Sequence, residues 1–204
     1  MYCNMKHRVF ISYHHSNDQW YKDELIRFGE ENDIFLDWSV DTGDISDDLS
    51  DQEIREIIRD EYLQTCRVTI LLVGTETKKR KHIDWELYSS MRNGKVNKKS
   101  GIVVILLPSA KSEYCTAANS NEKSQIYPNV TNWINIDERA EYERRYPYMP
   151  ERIIDNLLNK DAKISVVNWR DINVDNLRLL IENAYNNADS NDYDLNRPMR
   201  RKNS

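Results

Sequence analysis

Residues 67–77, Arg-Val-Thr-Ile-Leu-Leu-Val-Gly-Thr-Glu-Thr, leave this chain few ways to fold. Val68 to Val73 is a short, nearly continuous apolar run closed by Gly74, too short for a buried helix, and reads as a strand covered on both faces. A helical pattern follows, with Ile83, Leu87 and Met91 repeating every four residues and His82, Glu86 and Ser90 on the adjoining face. A doubly covered strand followed by an amphipathic helix is one unit of a parallel sheet. Glu86 then stands just beyond the carboxyl edge of that strand, where open α/β sheets bind their ligands. A lone glutamate on a helix is by default a solvated surface charge, so this position needs support from elsewhere in the chain.

The same rhythm recurs along the sequence. Apolar runs at 8–13, 34–38, 102–107 and 164–169 read as further strands. Ser16 or Asp18 can cap a first helix carrying Trp20, Leu25, Ile26 and Phe28, with Gly29 as its stop. Residues 51–65 form an amphipathic helix with Ile54, Ile57, Ile58 and Tyr62 inward, and Asn93-Gly94 ends the helix that carries Glu86. Pro150 opens another helix through Leu158, and 174–188 is the last, with Leu177, Leu180, Ile181 and Tyr185 inward. The expected fold is α/β: a flavodoxin-like parallel sheet of about five strands with helices on both faces, its first four strands in the order 2-1-3-4. The polar loop 40–51 is expected to be exposed and mobile. Residues 109–148 break the rhythm and read as an insertion with Val130, Trp133 and Ile134 as apolar anchors and a short strand near 131–136. Deleting 111–124 is expected to leave a folded protein. One domain then spans 1–188, with 189–204 as a disordered polar tail.

Composition narrows the function. A charged fraction of 31% and a net charge of -5 argue against a nucleic-acid partner. No apolar run approaches the roughly 20 residues of a membrane helix, and the first residues hold no apolar stretch of a secretory signal. Cys3, Cys66 and Cys115, odd in number and without a C-x-x-C pair, suit free thiols in a cytoplasmic protein, with Cys66 as a small core residue. Only five glycines are present, and neither dinucleotide-binding nor P-loop glycine motifs occur. No G-x-S-x-G elbow is found, and strands one and three end in Ser12-Tyr13 and Gly74-Thr75 rather than in receiver-type acids. His14-His15 reads as loop surface, not as a metal site.

What the fold would gather at one sheet edge is Ser12 and Tyr13, Asp37, Trp38 and Ser39, Gly74 to Thr77, and Glu86. Together they make a cleft with aromatic walls, hydroxyls and two carboxylates, suited to a nucleotide-like ligand. The segments Arg8-Val-Phe-Ile-Ser-Tyr13, Phe35-Leu-Asp-Trp-Ser-Val40, Val68-Thr-Ile-Leu-Leu-Val-Gly-x-x-Thr77 and Trp85-Glu86-Leu87 resemble the TIR-like family of the signalling subunit of bacterial Thoeris anti-phage systems. Pro150 to Asn156 and Val167-x-Trp169 resemble its downstream part.

That resemblance implies an NAD+ glycohydrolase or ADP-ribosyl cyclase, with NAD+ as substrate rather than cofactor and no metal. It implies Glu86 as the catalytic residue, and Phe10, Ser12, Tyr13, Asp37, Trp38, Ser39, Thr77 and His82 as substrate-binding positions. His82 is a departure, since the family often carries Trp there; Trp85 is expected to substitute in part. One carboxylate suffices for this chemistry, because nicotinamide leaves as a neutral base and needs no general acid. The resemblance further implies self-association or a phage-derived trigger, and a separate effector protein that reads the product. The alternative is a TIR-like scaffold without catalysis. Treated as an exposed helix position, Glu86→Gln is expected to leave stability nearly unchanged.

Overall fold

The computed structural model describes residues 6–39, 50–95 and 97–203. Five strands form one sheet: β1 His7–Ser12, β2 Phe35–Asp37, β3 Val68–Val73, β4 Gly101–Leu106 and β5 Ile164–Asn168. Every neighbouring pair is parallel, and the order is β2-β1-β3-β4-β5. The expected flavodoxin-like α/β architecture and the 2-1-3-4 order of the first four strands are therefore present. All residues of β3 and β4 are buried, as continuous apolar runs between two helical layers must be.

The helices are α1 His15–Glu31, α2 Asp51–Ile57, α3 Lys81–Met91, α4 Ser120–Ile126, α5 Arg139–Arg145, α6 Glu151–Leu158 and α7 Val174–Asn187. On one face, Leu25 of α1 and Leu177, Leu180 and Ile181 of α7 pack on Val9, Ile11, Ile70 and Val103. On the other, Ile83, Leu87 and Met91 of α3 join Ile153 and Ile154 of α6 over Leu71, Val104 and Val166. The four-residue repeat of α3 thus faces the sheet, and each fully buried Leu or Ile contributes about 1.5–3 kcal/mol. α2 continues through a wider π-turn, Ile58–Tyr62, and a tighter 3-10 turn, Leu63–Thr65, which set Ile58, Leu63 and Cys66 against Phe10. Burial pushes the Cys66 thiol up to about 12, as befits the expected core cysteine. Gly101 lies where α7 crosses β4; a Cβ there would fall 1.9 Å from the Ala184 carbonyl oxygen.

Several local expectations fail for identifiable reasons. Gly29 does not stop α1, which runs two residues further; the glycine admits the Phe35 ring, 2.3 Å from where a Cβ would stand. Asp18 is not a cap but is buried inside the helix, and Trp20 is 61% exposed. No strand forms at 131–136. Val130 and Ile134 are exposed, and half-buried Trp133 rests edge-on against Tyr127 at 5.9 Å. The insertion instead folds as α4 and α5 and covers the β5 edge through an antiparallel bridge between Thr116 and Val166. The loop 40–49 lies outside the described residues.

The segment 189–203, expected as a disordered tail, is packed. Buried polar side chains serve its backbone: Asn156 Nδ2 donates to the Asp194 carbonyl at 3.1 Å, and Asp194 N–H donates back to Asn156 Oδ1 at 2.8 Å. The Tyr193 hydroxyl donates to the Ser100 carbonyl at 2.9 Å, and fully buried Asn191 accepts from Lys163 N–H at 2.8 Å. Polar composition alone hides such a segment, because what orders it lies 28 to 93 residues away.

Candidate functional site

The site begins at the last residue of β1. Alternation along the strand turns Val9 and Ile11 to the α1 face and Phe10 and Ser12 to the α3 face. On α3, Glu86 and Ser90 are one turn apart and both meet strand hydroxyls. Ser12 Oγ donates to Glu86 Oε2 at 2.5 Å, and Thr69 Oγ1 donates to Ser90 Oγ at 2.9 Å. The second contact fixes the rotation of α3 about its axis and so aims Glu86 at Ser12.

Glu86 is not the exposed helix position that sequence reasoning assumed. It is 7% exposed, and burial pushes its carboxyl up to about 7 while the Ser12 bond pulls it part of the way back. Among the described residues Ser12 is its hydrogen-bond partner. A carboxylate with one donor in a desolvated site keeps its charge available for a cation.

The neighbouring positions are tied into one network. Asp37 Oδ1 accepts from Ser39 Oγ at 2.5 Å and from Ser39 N–H at 3.2 Å; Ser39 Oγ in turn accepts from Ile11 N–H at 2.9 Å. This joins the end of β2 to β1 one residue before Ser12. Trp38 is 39% exposed, with the Arg8 guanidinium 4.4 Å over its ring.

Four other predicted positions are occupied with the fold. Phe10 is 1% exposed and packed on Ile58 and Leu63. Tyr13 points to the α1 face, stacked on His15 at 4.4 Å with its hydroxyl donating to Gln19 at 2.7 Å. Thr77 Oγ1 accepts from Gly74 N–H at 2.8 Å and donates to the Leu72 carbonyl at 3.4 Å, locking the turn after β3. His82 stacks on Trp85 at 4.9 Å. Trp85 does not take over the missing Trp: it is buried, and its Nε1–H donates to the Arg200 carbonyl at 2.8 Å, away from Glu86.

Sequence reasoning passed over two features of this edge. Asp18 is 4% exposed, its Oδ2 has no hydrogen-bond partner, and burial pushes it up to about 6. It fills the space beside Gly74, where a Cβ would sit 2.7 Å from both carboxylate oxygens. His14, read as loop surface, is 7% exposed and held below the usual histidine range, chiefly by burial and then by Arg80. A helix-interior Asp four residues after a His, facing a glycine at a strand end, is the pattern that marks them.

An all-parallel sheet in this order, with Ser12, Ser39 and Glu86 tied together at the carboxyl ends of β1 and β2, defines a flavodoxin-like α/β protein. The chain belongs to the family of the TIR-like domain of Thoeris protein ThsB, whose model matches residues 10–112. It is thus a TIR-domain protein of a defence family. Among solved structures, the TIR domains of the activated Roq1 resistosome directly recognizing the pathogen effector XopQ are similar at 11% identity and a TM-score of 0.40, over 87% of this chain and 98% of that one. At that level the likeness carries no argument. No curated protein matches the chain. No helix among the described residues is long and apolar enough to cross a membrane.

Proposed function

We propose that this chain cleaves the bond between nicotinamide and ribose in NAD+, releasing nicotinamide and an ADP-ribose product, cyclic in the form used as a signal. The observation that carries this reading is the buried Glu86 carboxylate, held by a Ser12 hydrogen bond at the sheet edge where α/β folds take ligands. Nicotinamide departs as a neutral base, so the leaving nitrogen requires no acid. The barrier lies in the positive charge that develops at the anomeric carbon. A fixed carboxylate in a low-dielectric site stabilises that charge strongly and without reorganisation. In this scheme Glu86 is the catalytic residue, Ser12 holds it, and Asp37, Ser39 and Trp38 bind ribose and ring. Exclusion of water lets the folded-back adenine compete with hydrolysis and gives a cyclic product. The reading includes a cytoplasmic setting, a phage-derived trigger or self-association, and a separate effector that reads the product.

A non-catalytic scaffold is the second reading, favoured by one observation: His82 and Trp85 stack on each other, and Trp85 is engaged by the Arg200 carbonyl. Nicotinamide release from NAD+ by the purified protein, alone and in extracts of phage-infected cells, separates the two. Release that is lost in Glu86→Gln supports the enzyme. A wild type that stays silent in both settings leaves the scaffold.

A further inference from the structure

Eight of the chain's 29 lysines and arginines fall in two short segments, Lys78-Lys79-Arg80-Lys81 and Arg197 to Lys202, in a molecule whose net charge is -5. The fold brings these segments together. Lys81 N–H donates to Asn203 Oδ1 at 2.9 Å, and Arg200 N–H donates to Asp84 Oδ2 at 2.7 Å. Asp84 is also gripped by the fully buried Arg152, at 2.9 and 3.1 Å, whose guanidinium donates to the Arg197 carbonyl at 3.1 Å. The 197–203 segment is thereby strapped across the N-terminus of α3.

Between strap, helix and the start of α6 lies a cavity of about 270 Å³, with Lys78, Arg80, Arg197 and Arg200 in its lining and Asp84 and Glu151 as the carboxylates. Asp84 is taken by Arg152, and Glu151 by Arg197. Lys78 is held by a neutral partner, the Pro147 carbonyl at 2.5 Å, which leaves its charge uncompensated. Arg80 Nε is buried without a hydrogen-bond partner, and the nearest carboxylate to its guanidinium, on Glu76, is 3.9 Å away. The positive end of the α3 dipole points into the same space.

We propose that this cavity is an anion site for a phosphate or diphosphate group carried by a small soluble molecule, gripped by Arg80 and Lys78. A guanidinium whose buried Nε has no hydrogen-bond partner, beside a lysine, suits a tetrahedral oxyanion. The cations converge on one half-open cavity rather than forming the extended stripe that a nucleic-acid backbone requires. The site is separate from Glu86. Along α3, Lys81, Asp84 and Trp85 meet the strap, whereas Glu86 turns to Ser12 on the sheet. Glu86 is therefore no part of this cavity, although Arg80 also acts on His14 at the sheet edge.

The test uses inorganic pyrophosphate with the full chain, in thermal melts and in titration calorimetry, with chloride at matched ionic strength as control. Saturating pyrophosphate should raise Tm by about 5 °C, and chloride should not. Arg80→Gln and Lys78→Gln should each weaken pyrophosphate binding at least about tenfold, as loss of a charge-assisted bond does, and Glu86→Gln should leave it unchanged. An absent calorimetric signal, an equal effect of chloride, or full binding by the Arg80→Gln, Lys78→Gln double variant would overturn the site. Capture of the chain by phosphatidylglycerol vesicles, lost in the double variant, would overturn the soluble source in favour of a lipid headgroup.

Discussion

Two serine–glutamate pairs join strand to helix in this molecule, and they are built differently. At the carboxyl edge of β1, Ser12 Oγ meets Glu86 of α3 at 2.5 Å and is its hydrogen-bond donor among the described residues. Beside β5, Ser165 Oγ lies 2.8 and 2.9 Å from the two oxygens of Glu122 on α4, which also accepts from Ala118 N–H at 2.9 Å and Asn183 Nδ2 at 3.1 Å. Both glutamates are buried. Glu122 is saturated by donors from three parts of the chain and fastens α4 to β5 and α7. Among the described residues Glu86 has one donor, and burial lifts its carboxyl to about 7. The number of donors, not burial, separates a carboxylate that holds structure from one left free to face a cation.

The comparison is broken most severely by removing the Glu122 side altogether. Sequence reasoning expected a tolerated deletion of 111–124, but that segment contains Thr116, which pairs with Val166, and Glu122 itself. The deletion is expected to abolish the cooperative melt and solubility. A soluble variant with a near-native Tm would show that the β5 edge needs no cover. Next comes Glu122→Ala, which leaves Ser165, Asn183 and the Ala118 N–H without their acceptor. It should lower stability by roughly 3 kcal/mol or more, near 10 °C in Tm, with nicotinamide release per folded molecule unchanged.

Glu86→Gln should do the reverse. Nicotinamide release should fall by roughly 10²-fold or more, as for other preorganised electrostatic groups. Its effect on stability depends on pH, with a definite sign. In the unfolded chain the Glu86 carboxyl ionises near its ordinary 4.5, and in the folded one near 7. Between those values only the unfolded state sheds the proton, so wild-type stability from this group is fully present below 4.5, falls as pH rises to about 7, and is level above. Gln lacks that slope. Melts of the variant at pH 8 should match or exceed wild type, and a variant melting well below it would place Glu86 with Glu122 as a structural group.

The difference between the two pairs was half legible in the sequence. Glu86 follows a strand whose six residues could be nothing but buried, and its four-residue spacing from Ser90 and one-residue offset from Leu87 fixed its face. Glu122 sits in a polar run, Ser-Asn-Glu-Lys-Ser-Gln, with no apolar period to betray burial. Its side-chain partners lie 43 and 61 residues away, beyond any local pattern. The Arg152–Asp84 clasp, across 68 residues, was hidden for the same reason. Phe10, Tyr13 and Thr77 stood at the right strand ends, but alternation and turn geometry turned them into core or backbone contacts. Strand-end position was legible; the direction of each side chain had to be counted residue by residue.

The smallest effect is the most discriminating, and it concerns Ser12→Ala. The Ser12 hydroxyl stabilises the ionised form of Glu86 and thereby holds its carboxyl lower than burial alone would leave it. If the carboxylate is the working form, wild-type kcat/KM for nicotinamide release should rise with pH through about 7 and then level off. Removing a hydrogen bond to a charged group withdraws roughly 1.5 kcal/mol from the ionised state, which moves the inflection upward by about one pH unit. Ser12→Ala should therefore lose several-fold in activity at pH 7 and regain most of it near pH 9. That recovery distinguishes a residue that sets the charge of Glu86 from one that merely places it, since misplacement lowers the rate equally at every pH. The same substitution made in the other pair, Ser165→Ala, should leave the pH profile where it is, because Glu122 keeps Ala118 N–H and Asn183 as donors and stands outside the cleft. A profile displaced by Ser165→Ala, or left in place by Ser12→Ala, would remove the distinction between the two pairs.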